Sequence, residues 1–341
     1  MQNDEMTLAK WWEPVDNNKI LCTLCPRYCK IGEGQPGFCY IRQNHGGKLY
    51  TIGYGRPTGF AIDPVEKKPL NHFLPGTSIL SFGTAGCNLG CKFCQNWSIS
   101  KAKLDDENSL AASPEDVVKL AKRYNTPSIA YTYNDPTIFG EYVIDISKIA
   151  REEGIKNVLV TAGYIDKEAR KEVYQYADAA NVDLKGFTER FYNKLTFSHL
   201  KDVLDTLVWL KNETDTWFEI TTLLIPGEND NPDEIKQECE WILNNLGDSV
   251  PLHFTAFHPD FRMRDKPKTS AKTLKDARNI ALSLGIKYCY VGNIYDTPGQ
   301  TTYCPGCKTE LIQRDWHSVN FNIMNKNKCS NCGTTIPGVF N

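Results

Sequence analysis

The residues of this chain best suited to chemistry are its 13 cysteines, because 11 of them fall in three tight groups. Cys22, Cys25, Cys29 and Cys39 follow C-x2-C-x3-C-x9-C. Cys87, Cys91 and Cys94 follow C-x3-C-x2-C, and Cys304, Cys307, Cys329 and Cys332 follow C-x2-C-x21-C-x2-C. Four thiolates close a tetrahedral site or satisfy every iron of a cubane cluster, whereas three leave one iron open to a ligand from outside the protein. The outer groups therefore read as closed sites and the middle group as a site built to bind something. Cys239 and Cys289 stand in apolar-patterned segments with no partner nearby and are expected in the core.

The C-terminal group reads YCPGC and CSNCG, with Pro305, Gly306 and Gly333 supplying tight turns that aim backbone amides at sulfur. A structural zinc ribbon is the expected site, and a rubredoxin-like iron site is its rival. Without a metal, a tail of roughly 40 residues with few large apolar side chains has too small a core to fold. The N-terminal group, CTLCPRYC with Cys39 in GFCYIR, is compatible with zinc or with an auxiliary iron–sulfur cluster.

Composition narrows the setting. With 341 residues and 41% hydrophobic positions the chain is long enough for two or three domains and a large core, which argues against disorder. Its 39 basic and 41 acidic side chains nearly cancel, whereas a duplex-binding domain carries a basic excess to neutralise phosphates. No run approaches the roughly 18 apolar residues of a membrane span, and MQNDEMTLAK lacks the apolar core of a signal peptide. A cytoplasmic protein without membrane contact is expected. In that reducing setting, clustered cysteines hold metal more often than they pair, and an odd total cannot pair completely.

These groups need a scaffold, and the pattern between them is one of repeated βα units around a parallel sheet. Strands are expected near 78–83, 128–132, 157–161, 180–184, 217–225 and 252–257, with a weaker run at 287–291. Helix starts are marked by Ser113 before Pro114, Glu115 and Asp116, and by Asn231 before Pro232, Asp233 and Glu234. The expected fold is α/β, a partial six-unit βα barrel. Its division is 1–75, an N-terminal four-cysteine module and lid; 76–297, the barrel; and 298–341, a zinc-ribbon-like module. In such barrels the C-terminal strand ends share one mouth. The segments there are GTAGCNLGCKFCQNW, TYNDPT, TAGY, DLKG, IPGEND and HPD, all rich in polar, Gly or Pro residues.

The C-x3-C-x2-C triplet after a first strand, with Phe93 before its last cysteine, resembles the signature of the radical S-adenosylmethionine (SAM) superfamily. A zinc knuckle of three cysteines and a histidine is the plainer alternative, but the loop has no histidine. Closer likeness is to the activating enzymes of pyruvate formate-lyase. Within that group CPRYC, DPVEKKPLNHFLPG, GCNLGCKFCQNW, AYTYNDPT, NVDLKGF, IPGEND, HFTAFHPD and the terminal CPGC resemble the radical enzymes of the AmmeMemoRadiSam system. The resemblance implies a 4Fe-4S cluster on Cys87, Cys91 and Cys94, SAM on its open iron, and a 5′-deoxyadenosyl radical that abstracts hydrogen from a substrate. It also implies an electron donor of ferredoxin or flavodoxin type, and partnership with Memo-type and AMMECR-type proteins.

Carried over motif by motif, the resemblance assigns Asn134 and Asp135, standing where the family has Gly-Gly-Glu-Pro, to the amino group of the cofactor's methionine. Thr161 and Gly163 match a Thr-Asn-Gly turn, with Ala162 in place of the amide. Asp183 and Lys185 match Asp-Leu-Lys, whose lysine neutralises the cofactor carboxylate, and Phe93 shelves the adenine through its backbone. For Asp183 and Lys185 the plainer reading is a surface ion pair.

Substrate-facing candidates are Glu219, which shares a strand face with Thr221, and His258 at the sixth strand's end; His253 is a lesser candidate. Lys67 and Lys68 form either part of a lid over the cofactor or a solvated charge pair. Two other functions compete with hydrogen abstraction by a free radical. One is activation of a glycyl-radical enzyme, disfavoured by the substituted second-strand turn and the added terminal modules. The other is a metal-stapled binding module, in which Arg314, Lys326, Lys328, Trp316 and Phe321 grip single-stranded nucleic acid. Charge balance argues against the latter.

Overall fold

A computed structural model describes residues 6–105, 107 and 109–340. Eight strands lie side by side in chain order: β1 (Thr58–Pro64), β2 (Ser78–Gly83), β3 (Ser128–Tyr131), β4 (Lys156–Thr161), β5 (Ala179–Asp183), β6 (Trp217–Leu224), β7 (Leu252–Ala256) and β8 (Cys289–Gly292). β2 to β8 are parallel. β1 runs antiparallel along β2. The order is linear, so β1 and β8 are edges and the barrel is open.

The crossovers carry helices α1 (Pro114–Arg123), α2 (Gly140–Glu152), α3 (Lys167–Val173), α4 (Leu200–Glu213), α5 (Pro232–Asn245) and α6 (Ala271–Leu284). Helices on the outside and side chains within leave the strands buried; β3 and β7 are buried at every position. Ser113 caps α1 in a reciprocal box with Asp116, and the Asn231 side chain accepts from Asp233 N to start α5. Cys239 and Cys289 are 0% and 2% exposed in the main core, as expected.

The six-unit expectation is one parallel strand short, and it omits the antiparallel edge strand β1, which falls in the segment assigned to the N-terminal module. The weak run at 287–291 becomes β8, a four-residue strand paired with β7 from Leu252↔Cys289 to Thr255↔Gly292. Its periodicity is poor because Tyr288 and Tyr290 pack toward the C-terminal segment, while Cys289 and Val291 join the barrel core.

Before the barrel lie two three-stranded antiparallel sheets, one of which carries Cys22. After it comes a third, with strands Thr302–Tyr303, Glu310–Asp315 and Ser318–Asn322. The last two form a hairpin whose turn holds Trp316 and His317. The hairpin is bolted to the barrel by Arg314, which is 1% exposed and donates to the carbonyl of Asn71 (2.7 Å) and to Thr302 Oγ1 (2.9 Å). Farther on, Val339 N donates to His72 O and Leu74 N to Val339 O. Among the described residues, no helix is long and apolar enough to cross a membrane.

Candidate active site

The C-terminal ends of the parallel strands open into one cavity of about 430 Å³. Cys87, Cys91 and Cys94 line it, on the loop that follows β2. That loop is held by local donors. Leu89 N lies 3.4 Å from Cys87 Sγ, Ser100 Oγ lies 3.1 Å from Cys94 Sγ, and Lys101 Nζ donates to Leu89 O at 2.6 Å. Gly86, at φ +86°, packs so closely on the N-terminal segment that an added Cβ would stand 2.0 Å from Cys39 O. Burial pushes the Cys91 thiol up to about 12 and raises Cys87 as well, so metal loading must displace their protons.

Asn134 brackets this loop: its Nδ2 donates to Gly86 O (2.8 Å) and Thr84 Oγ1 (3.1 Å), and its Oδ1 accepts from Thr84 N (3.2 Å). The amide assigned to the cofactor is therefore engaged with the cysteine loop, although the residue lines the cavity. Asp135, 3% exposed, accepts from Thr137 N (2.9 Å), Ala162 N (2.8 Å) and Thr161 Oγ1 (3.1 Å). Three donors on about four lone-pair sites leave room for one more from the cavity. Burial raises its pKa against the pull of those donors. Thr161 lines the cavity, whereas Gly163 lies behind it, in the left-handed region at φ +65°, and its N–H donates to Thr161 Oγ1.

Asp183 and Lys185 pair at 2.8 Å within the cavity wall, so they are not a mere surface pair. Burial opposes the lysine's charge, but Asp183 and then Cys91 carry its pKa above the ordinary value. Lys185 is thereby a fixed cation facing the cysteines. Phe93, 4% exposed, packs on Phe191 with ring centroids 5.8 Å apart and forms part of the wall.

The substrate candidates need correction. Glu219 does point inward, on the same face as Thr221, but two residues below it, roughly 7 Å deeper along the strand. Thr221 lines the cavity and Glu219 does not. Its carboxylate is consumed by Asn71 N (2.9 Å), His72 N (2.7 Å), His253 Nε2 (2.7 Å) and Trp217 Nε1 (3.2 Å). Burial would raise its pKa, but His253 and these donors hold it below the ordinary value. It is a buried brace. His258 is exposed and outside the cavity wall; at that strand the wall is Thr255 and His253, the latter stacked on Tyr290 at 5.1 Å. Strand alternation predicts the face, but the depth depends on where the strand ends.

Lys67 and Lys68 also line the cavity. Lys68 is 3% exposed, which excludes a solvated pair for that residue. Sequence reading missed Glu66, Asn71, Tyr133 and Gln300 in the wall, and gave Arg314 and Trp316 a different use. Arg314 is buried and engaged, so it is unavailable to grip nucleic acid. Only contacts between segments more than 200 residues apart bring the hairpin tip to the mouth.

Residues 82–242 match the radical SAM superfamily. The uncharacterized protein MJ0808 of Methanocaldococcus jannaschii is 43% identical over 334 residues, covering 97% of this chain and 99% of that one. This chain belongs to the radical SAM superfamily. The pyruvate formate-lyase-activating enzyme of Clostridium pasteurianum is similar at 21% identity, over 53% of this chain and 80% of that enzyme. Among solved structures, a radical SAM methyltransferase from Sphaerobacter thermophilus shares the fold with a TM-score of 0.51 at 16% identity, over 64% of this chain and 67% of that one.

Membership makes this radical SAM chain an enzyme and implies a 4Fe-4S cluster and SAM. The residues fit: three thiols on one loop face a cavity that also presents a buried carboxylate and a fixed ammonium. Among the described residues, only the C-terminal cysteines converge with all sulfurs within 4.8 Å of one another. Their Cys304–Cys332 and Cys307–Cys329 separations are 3.5 and 3.7 Å. Ligands at 2.3 Å in a tetrahedron stand about 3.8 Å apart, so this group fits a single ion. The Thr309 hydroxyl draws Cys307 down to about 5, and that of Thr334 lowers Cys332. Of the N-terminal group, Cys22, Cys25 and Cys39 are buried; burial, then Cys22, pushes the Cys25 thiol well up.

Proposed function

We propose that this enzyme cleaves SAM reductively at a cluster held by Cys87, Cys91 and Cys94 and removes hydrogen from a small-molecule substrate inside the cavity. The observation that carries this reading is the enclosure of three thiols, Asp135, Asp183 and Lys185 in one cavity at the strand ends. Cys87, Cys91 and Cys94 would hold the cluster, which would supply the electron for reductive cleavage of SAM to methionine and the radical that takes hydrogen from the substrate. The chain's own residues orient and shield. Asp135 has an acceptor site left for the methionine amino group. Lys185, its charge stabilised by Asp183, suits the carboxylate. The apolar side chains of Leu89, Phe93, Val160, Leu223 and Val291 keep part of the wall dry, which suits a reactive intermediate.

A zinc-ribbon role for the C-terminal site, an electron donor of ferredoxin or flavodoxin type, and association with Memo-type and AMMECR-type proteins belong to the same reading. Their support is the long-range likeness of motifs and the tetrahedral sulfur spacing. Glycyl-radical activation is the second reading, favoured by the distant similarity to pyruvate formate-lyase-activating enzyme. The hairpin tip in the wall narrows the space in which a protein glycine would have to enter.

Anaerobic reconstitution with iron and sulfide, followed by SAM and dithionite, should release 5′-deoxyadenosine. A spectroscopically intact cluster without product refutes the reading. Counting iron, zinc and acid-labile sulfide in wild type and in a variant lacking Cys87, Cys91 and Cys94 assigns one cluster to the central loop. The remainder belongs to the terminal groups.

A further inference from the structure

The cavity has a wall that the cofactor reading leaves unused. It is made by Lys67 and Lys68, which follow β1, and by Trp316 and His317 at the tip of the C-terminal hairpin. Lys67 Nζ lies 2.8 Å from Asp63 Oδ1 and Lys68 Nζ lies 2.7 Å from Asp63 Oδ2. Two ammonium groups thus share one carboxylate, which also accepts from Tyr133 Oη at 3.3 Å. Asp63 cancels one charge and leaves the other. Lys68 is nearly excluded from solvent and pairs with Asp63 inside the protein, so the surplus falls to Lys67, whose half-exposed ammonium lines the cavity and is open to a ligand.

His317, which lines the same cavity, makes no side-chain hydrogen bond among the described residues; its ring packs edge-on against Trp316 with centroids 5.5 Å apart. Glu66 does not absorb the surplus. Its Oε1 is taken by Gly76 N (2.9 Å) and Arg314 Nε (3.5 Å), while its Oε2 is buried in the same wall without a partner. A surplus positive charge shared by two lysines on one carboxylate, and an imidazole without a hydrogen-bond partner on the same wall, describe a site for an anionic group.

We propose that this wall is the substrate site and that the substrate carries an anionic group, carboxylate or phosphate, received by Lys67 and Lys68 together with His317. The proposal rests on the radical SAM reading for the word substrate, but anion binding is measured apart from it. The C-terminal module then serves recognition, because its hairpin supplies half of the site.

The test is calorimetric titration of the full chain as purified, with inorganic phosphate and with malonate, at constant ionic strength held with chloride. Saturable binding of one or both anions to wild type is expected, weakened about tenfold by Lys67→Gln and also by His317→Ala, the scale of one charge-assisted hydrogen bond. Lys67 is half exposed, so its replacement leaves the fold standing. Preference for phosphate or for malonate names the anionic group. No heat beyond the chloride control, or equal affinity in wild type and both variants, overturns the proposal. Release of 5′-deoxyadenosine by reconstituted wild type is scored separately: release without anion binding overturns the substrate site alone, and anion binding without release overturns the radical chemistry alone.

Discussion

Replacing Arg314 with leucine tests how firmly the C-terminal module is built into the active-site wall. The guanidinium donates to Asn71 O, Thr302 Oγ1 and Gln300 O, and its Nε lies 3.5 Å from Glu66 Oε1. Both partners of that pair are 1% exposed at their side chains. Arg314→Leu removes the cation and leaves a buried carboxylate with only Gly76 N as donor. Breaking a buried pair in this way costs about 3–5 kcal/mol. That is a large share of a stability of roughly 5–15 kcal/mol. The double variant Glu66→Gln/Arg314→Leu removes both charges and should recover most of the loss, giving a coupling of about 2 kcal/mol or more.

The pH dependence has a definite sign. Burial already raises Glu66, and loss of Arg314 raises it further. An acid whose folded pKa exceeds its unfolded value destabilises as pH rises above the unfolded value of about 4.3. The penalty should therefore be small near pH 4 and grow as pH rises toward 7. Urea unfolding followed by tryptophan fluorescence at both pH values measures it. A single variant costing under about 1 kcal/mol, or a double variant as unstable as the single, refutes the claim that charge, rather than packing, ties the hairpin to the barrel.

Asp63 is held down at about 2 by Lys67 and Lys68 in spite of its burial. Its stabilisation, about 2 kcal/mol, is present above the unfolded value and lost as pH falls through 2; Asp63→Asn should show that deficit in urea at pH 7 but not near pH 2. Glu238 is pushed up to about 8 by burial, with Thr222 as its hydrogen-bond partner at 2.5 Å. Stability should fall between about pH 4.5 and 8, by on the order of 3 kcal/mol at pH 7, and Glu238→Gln should flatten that slope in the same unfolding assay. Gly86→Ala drives a Cβ into Cys39 O at a positive φ, so the reconstituted variant should hold less iron on the central loop than wild type, as measured by metal and sulfide content.

Much of the site was legible because metal ligands and strand-end turns are local signals. C-x3-C-x2-C, the Asp135 turn and Asp183 with Lys185 are each fixed within a few residues, and all of them meet in the cavity. Helix starts at Ser113 and Asn231 were legible for the same reason, since a cap and the first turn are neighbours in sequence. Glu219 shows where local reasoning stops. Period-two alternation assigns its face, but its depth depends on donors from Asn71, His72 and His253, which no spacing reveals.

The amino-acid sequence by itself determined the partition of cysteines, the βα rhythm and the chemistry of an open three-thiol site, because these follow from residue type and short-range geometry. Tertiary structure alone decided that His253 rather than His258 faces the cavity, that Arg314 is a buried bolt rather than a surface cation, and that Lys67, Lys68 and His317 share one wall. The reason is distance along the chain. The hairpin tip and the segment after β1 are about 250 residues apart, and only the closure of the C-terminal segment against the open edge of the sheet brings their charges into one electrostatic environment.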